Sequence, residues 1–254
     1  EALAEAKELV SELYKPKYDK ADTDARKTAL AREMLEHAPG PKENPAERYA
    51  LLEVARDVAC LAGDAGTTME AVERMAAAFE VDGQKMKLEL LEKLARSVGS
   101  TAQQKALAAA ALELMNEAAG LEDFAAARSA GEVAKRAAER ARAWPLVKQI
   151  VQRKKEIDGL AKLHAEYQKA LDTLEPNPAD PPANLIAGRY LCFIKADWDK
   201  GIPMLALGSD ADLKAVAERD LKEPSTWEDQ VALADAWWDL AKKREGEEQA
   251  SLKL

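Results

Sequence analysis

The start signal Asn44-Pro45-Ala46-Glu47, followed by "RYALLEVARDVACLAG", constrains the fold more than any other stretch. Asn44 can accept a hydrogen bond from an orphan backbone N–H, Pro45 suits the first helical position because its missing N–H is not needed there, and Glu47 suits the third. Behind this start Leu51, Leu52, Ala55, Val58, Ala59 and Ala62 recur at helical spacing as one broad apolar face, and Gly63 supplies a stop. After the short turn "DAGTT", Met69, Val72, Met75, Ala76 and Phe79 form a second such face. Two helices joined by so short a connection fold back on each other as antiparallel neighbours.

The alternation of apolar helix and short turn continues in both directions. Downstream, Leu88, Leu91, Leu94, Ala95 and Val98 predict one helix, and a companion begins near Thr101 with Ala106, Leu107, Leu112 and Met115; Gly99 and Gly120 punctuate the pair. Upstream, Leu3, Ala6, Val10 and Leu13 predict a stripe widened by Leu9 that ends near Pro16, and Asp22 or Thr23 caps a helix carrying Leu30, Met34 and Leu35. The segment "LEDFAAARSAGEVAKRAAERARA" is a further helix whose alanines permit close approach, despite Gly131. The longest candidate runs over 145–174, from Pro145 to Leu174, which would reach about 45 Å and brace the array against the final region of the chain. With strand formers scarce beside Ala, Leu, Glu and Lys, the expected class is all-α.

The prolines of "EPNPADPP" predict a linker over 176–183, separating an N-terminal helical-repeat region, 1–175, from a C-terminal helical module, 184–254. In that module Leu185, Ile186, Tyr190, Leu191, Phe193 and Ile194 mark one helix, and a short helical piece surrounds Met204 to Leu207. Ser209 is read as a cap with Asp212 three residues on, and Ser225 as a cap with Glu228. Between the first two pieces, "DWDKGIPM" is read as a corner: Asp197 and Asp199 as exposed or hydrogen-bonded corner groups, Trp198 as a packing residue, Gly201 as a helix terminator before Pro203. In the last helix Trp227, Val231, Ala234, Trp238 and Ala241 are expected to face inward, and the pattern continues to the final residue. Trp237 and Trp238 point about 100° apart, so one packs inward while the other rests at a groove or interface.

Composition narrows the chemistry. The 254 residues, 47% apolar, support a sizeable core, and the net charge of -9 mixes 37 basic with 46 acidic residues, which disfavours a nucleic-acid partner. The basic run Arg153-Lys154-Lys155 lies beside Glu156 without aromatic stacking partners and reads as a solvated helix face. No stretch is apolar for long enough to span a bilayer. Cys60 and Cys192 are too few for a disulfide framework and read as buried thiols; with His37 and His164 they match no zinc motif. The aspartates 197, 199, 210 and 212 lack calcium-loop spacing, so no metal and no cofactor is expected. Ser100, Ser129, Ser209 and Ser225 stand in no nucleophile, base and orienter arrangement, and there is no phosphate-cradling glycine loop with its lysine, so no catalytic residue is assigned. A chain that opens on Glu1 is expected to be a processed product or a piece of a longer polypeptide.

Through Tyr49, Leu52, Ala59, Gly63, Ala71, Ala78 and Phe79, with Leu91, Ala95, Gly99, Ala109 and Ala110 as looser counterparts, residues 44–120 resemble a tetratricopeptide-type array. That resemblance implies an αα superhelix of antiparallel hairpins, a TPR-like scaffold that binds a protein or peptide on its concave face. The stretch "AGRYLCFIKADWDKGIPMLALGSDADLKAVAERDL" with "ADAWWDLA" resembles a segment of large exported planctomycete proteins of uncharacterised role, which implies export. The leading expectation is a non-catalytic protein-interaction module with Tyr190, Trp198, Trp227, Trp237 and Trp238 as binding residues. One alternative is a carbohydrate-binding or carbohydrate-processing domain that uses Trp198, Trp237 or Trp238 as platforms beside Asp197 or Asp199. A structural module of a larger exported protein is the other.

Overall fold

The computed structural model describes residues 1–40 and 43–243, and every regular element among them is helical. The chain divides into two compact units, Glu1–Asp158 and Gly159–Leu254. The expectation of a helical pattern running to the final residue falls on 244–254, outside the described residues.

The first unit contains α1 (Ala2–Tyr18), α2 (Asp24–Glu36), α3 (Pro45–Leu61), α4 (Ala65–Ala78), α5 (Gly83–Ser97), α6 (Thr101–Gly120), α7 (Phe124–Arg140) and the first half of α8 (Trp144–Leu174). Packing follows chain order: α1 lies on α2 and α3, α2 on α3 and α4, α3 on α4, α4 on α5 and α6, α5 on α6 and α7, α6 on α7. The Asn44 start forms as its residues dictate, with the Glu47 N–H donating to Asn44 Oδ1 at 3.2 Å. One turn recurs three times. After α3 the Gly63 N–H reaches the Cys60 carbonyl and the Asp64 N–H that of Ala59; the same two bonds close α6 through Glu122 and Asp123, and α7 through Arg142 and Ala143. The turning residue is left-handed each time, at φ 71° for Gly63, 63° for Glu122 and 52° for Arg142. Gly63 is doubly required, because a Cβ there would also press on Gln103 and Val98.

One expectation in this unit is corrected and two are sharpened. The end expected near Pro16 comes at Tyr18: Pro16 lies inside α1, whose last turn still closes through the Asp19 N–H to the Lys15 carbonyl at 2.9 Å. The buried stripe of α1 is Ala6, Val10 and Tyr14, so Leu3, Leu9 and Leu13 are exposed. On the expected face of α5, Leu88 is half-buried against the core, and Lys87 heads the buried row completed by Leu91, Leu94 and Val98. Lys87 is only 7% exposed, and its ammonium bonds to Glu73 of α4 at 2.9 Å and Glu117 of α6 at 2.8 Å, tying three helices together. The core beneath holds Leu91, Leu94, Leu107, Leu114 and Met115 against the alanines of α7.

The second unit takes up the remainder of α8, then α9 (Pro181–Arg189), a π turn (Tyr190–Ile194), α10 (Trp198–Leu207), α11 (Ala211–Asp220) and α12 (Trp227–Lys242). Pro181 and Pro182 are the first residues of α9, capped by Asp180, whose side chain accepts from the Ala183 N–H at 3.0 Å. The serine caps are corrected by one residue each: Asp210 caps α11 and Thr226 caps α12, both accepting N–H groups of the first turn. The core is Cys192, Phe193, Leu205, Leu213, Ala217, Leu240 and Ala241.

Candidate functional site

The corner "DWDKGIPM" is built by the π turn before it. The Lys195 N–H donates to the Tyr190 carbonyl at 3.1 Å, and the extra residue in that turn lets the Asp197 N–H reach the Leu191 carbonyl at 2.9 Å across left-handed Ala196. Asp197 then caps α10, with Oδ1 accepting from the Lys200 N–H at 3.3 Å and Oδ2 paired with Lys200 Nζ at 2.7 Å. The Lys200 ammonium holds the Asp197 carboxyl below the usual carboxylate range, so this group is a fixed anion at a helix start. Gly201 does not end a helix. It lies inside α10, where a Cβ would overlap Cys192 Sγ and press on the Cys192 nitrogen and Gly188 carbonyl, so glycine sets how closely α10 approaches α9 and the π turn. Burial, and after it the charges of Asp197 and Asp220, push the Cys192 thiol up to about 12, which makes it a neutral packing group.

The aromatic side chains separate into two sets. Trp198 is half-buried between Phe193 and Trp237, edge-to-face with each at 5.8 Å between ring centroids. Trp237 also donates its Nε1–H to Asp220 Oδ2 at 2.7 Å. Those two contacts, with buried Leu240 and Ala241, set the rotation of α12. The inward stripe expected for this helix is therefore wrong apart from Ala241. Trp227 is 71% exposed, Val231 51% and Trp238 45%, and Ala234 is exposed with them. Tyr190 is buried and stacked on Tyr167 of α8, with ring centroids 4.5 Å apart.

Of the five residues singled out in the sequence, Trp198 and Trp237 meet in packing, Tyr190 lies inside the unit, and Trp227 and Trp238 stand on the outer face of α12. Sequence reasoning missed Asp220, the acceptor that orients Trp237; in "AERDL" nothing distinguishes it from any other acidic residue at a helix end. Glu228, Asp229, Asp235 and Asp239 are exposed along α12 around the outward row.

Among the described residues no group of three or more His, Cys, Asp or Glu side chains is placed to hold a metal ion. No described helix is long and apolar enough to cross a membrane. No family model, curated protein or solved structure matches this chain.

Proposed function

We propose that the chain is a non-catalytic protein-interaction or scaffolding module that receives an amphipathic helix of a protein partner on the outer face of α12. The observation that carries this reading is the row Trp227, Val231, Ala234 and Trp238, exposed at spacings of four, three and four residues. Isolated exposed apolar side chains are ordinary, but a row at this spacing is the seam on which one helix packs against another. Trp227 and Trp238 are of the residue type that dominates binding energy at interfaces. The carboxylates beside the row select a partner helix with Lys or Arg flanking its own apolar stripe.

Chain-order packing in the first unit, with hairpins opening at 45, 83 and 124, supports a tetratricopeptide-like array as the remaining scaffold. An apolar groove of about 410 Å³ between α1 and α3, lined by Leu9, Leu13 and Leu51 and rimmed by Lys17 and Glu47, supports a second contact surface there. For the carbohydrate alternative, Trp198 and Trp237 are engaged with each other and Asp197 with Lys200, which leaves it only exposed Trp238 and Asp199. Partner capture should be tested with a photocrosslinking amino acid at position 231 in the full chain, beside a control at exposed Lys214 on α11. The expected products join position 231 to one basic-flanked helix and diminish in a Trp227→Ala, Trp238→Ala pair that keeps its helicity. Equal products at both positions, or products indifferent to the tryptophan pair, would refute the reading.

A further inference from the structure

A second pocket, of about 410 Å³, opens between α5, α6 and α7 in the first unit. Its character is polar, unlike the groove beside α1. Three guanidinium groups line it: Arg96 from α5, and Arg136 and Arg140 one turn apart on α7. Two of them are oriented by main-chain carbonyls, Arg140 through Nη1 to Ala95 at 2.9 Å and Arg136 through Nε to Glu132 at 3.2 Å, which leaves their other N–H groups for a ligand. One carboxylate, Glu92, shares the pocket and lies 4.0 Å from Arg96, so three positive charges face one negative charge. In a chain of net charge -9 this is a local reversal of sign.

Gln104 of α6 also lines this pocket and is 4% exposed. Its Nε2 donates to the Val98 carbonyl at 2.7 Å, which fixes the orientation of the amide. Its buried Oε1 accepts no hydrogen bond among the described residues. An orphaned buried acceptor costs stability until a donor reaches it, so a ligand that brings an O–H or N–H group as well as negative charge fits this lining.

We propose that this pocket binds the phosphate group of a small hydroxylated molecule, with the oxyanion on Arg96, Arg136 and Arg140 and an O–H donated to Gln104 Oε1. Guanidinium groups match the spread oxygens of a phosphate. The pocket volume exceeds what a bare phosphate fills and leaves room for the rest of the ligand. The orphan acceptor is what separates phosphate from sulfate: hydrogen phosphate retains an O–H near neutral pH, whereas sulfate has the same shape and charge with no proton to give.

The experiment titrates inorganic phosphate and, separately, sodium sulfate into the 15N-labelled full chain at constant ionic strength, following the Gln104 side-chain amide and the Arg136 and Arg140 Nε–H resonances. Saturable shifts with phosphate are expected, at an affinity at least about fivefold above that for sulfate. Arg136→Gln should weaken both anions, and Gln104→Met should abolish the preference while leaving residual binding of each. Should Gln104→Met not fold, the phosphate-to-sulfate ratio of the unaltered chain decides alone. Absence of saturable phosphate shifts, or sulfate binding as tightly as phosphate, would overturn the assignment.

Discussion

Helices α7 and α12 are nearly equal in length, at 17 and 16 residues, yet they are held in opposite ways. Buried α7 positions are Ala127, Ala130, Gly131, Val133, Ala134, Ala137 and Ala138, almost a continuous surface of small side chains against α6. On α12 only Leu240 and Ala241 are buried, and its rotation is set by them together with the contacts of Trp237 to Trp198 and Asp220. Small residues let backbones approach, so α7 has little slack at its wholly buried alanines, Ala127, Ala130, Ala134 and Ala138. These few contacts fix α12 while leaving an apolar row outside. The first arrangement suits a scaffold, and the second suits a surface that exchanges solvent for a partner.

That contrast can be broken most severely at α7. Ala134 is wholly buried, and Ala134→Leu should destabilise the first unit by about 3 kcal/mol, read from the urea midpoint at constant slope. Next in size, Trp237→Phe keeps most of the ring and removes the bond to Asp220, for an expected loss of about 1 kcal/mol. The packed unit also has a pH signature. Burial alone would lower the Lys87 pKa, but the hydrogen bonds it donates to Glu117 and Glu73 outweigh it and hold the ammonium above the ordinary lysine value of 10.5. Its stabilisation is thus complete below the unfolded lysine value and lost as pH rises through the higher folded value, so Lys87→Met should flatten the alkaline limb of stability against pH. The smallest effect belongs to the outer row of α12: Trp227→Ala should change stability by no more than about 0.5 kcal/mol by thermal melting.

The same two helices show what the amino-acid pattern makes legible. Helical class and most boundaries follow from local chemistry, as the Asn44-Pro45-Glu47 start shows, because capping and spacing act within a few residues. The face that α12 turns inward is not legible in this way, since its apolar residues surround the helix and the choice is made by Asp220 and Trp198, which are distant in sequence. Gly201 has the local signature of a stop and is instead a point of close approach, for the same reason. Left-handed Glu122 and Arg142 carry no glycine signal, although their turns repeat the geometry of Gly63. Lys87 is hidden because a lysine on an apolar stripe reads as an interruption until both of its carboxylate partners are placed.

Hydroxyl-radical footprinting of the intact chain, read tryptophan by tryptophan, tests the orientation of α12 most directly. Trp227 should be oxidised several times faster than Trp237, with Trp238 between them. A Trp237 as reactive as Trp227, or a shielded Trp227, would contradict the outward row on which the proposed interaction surface rests.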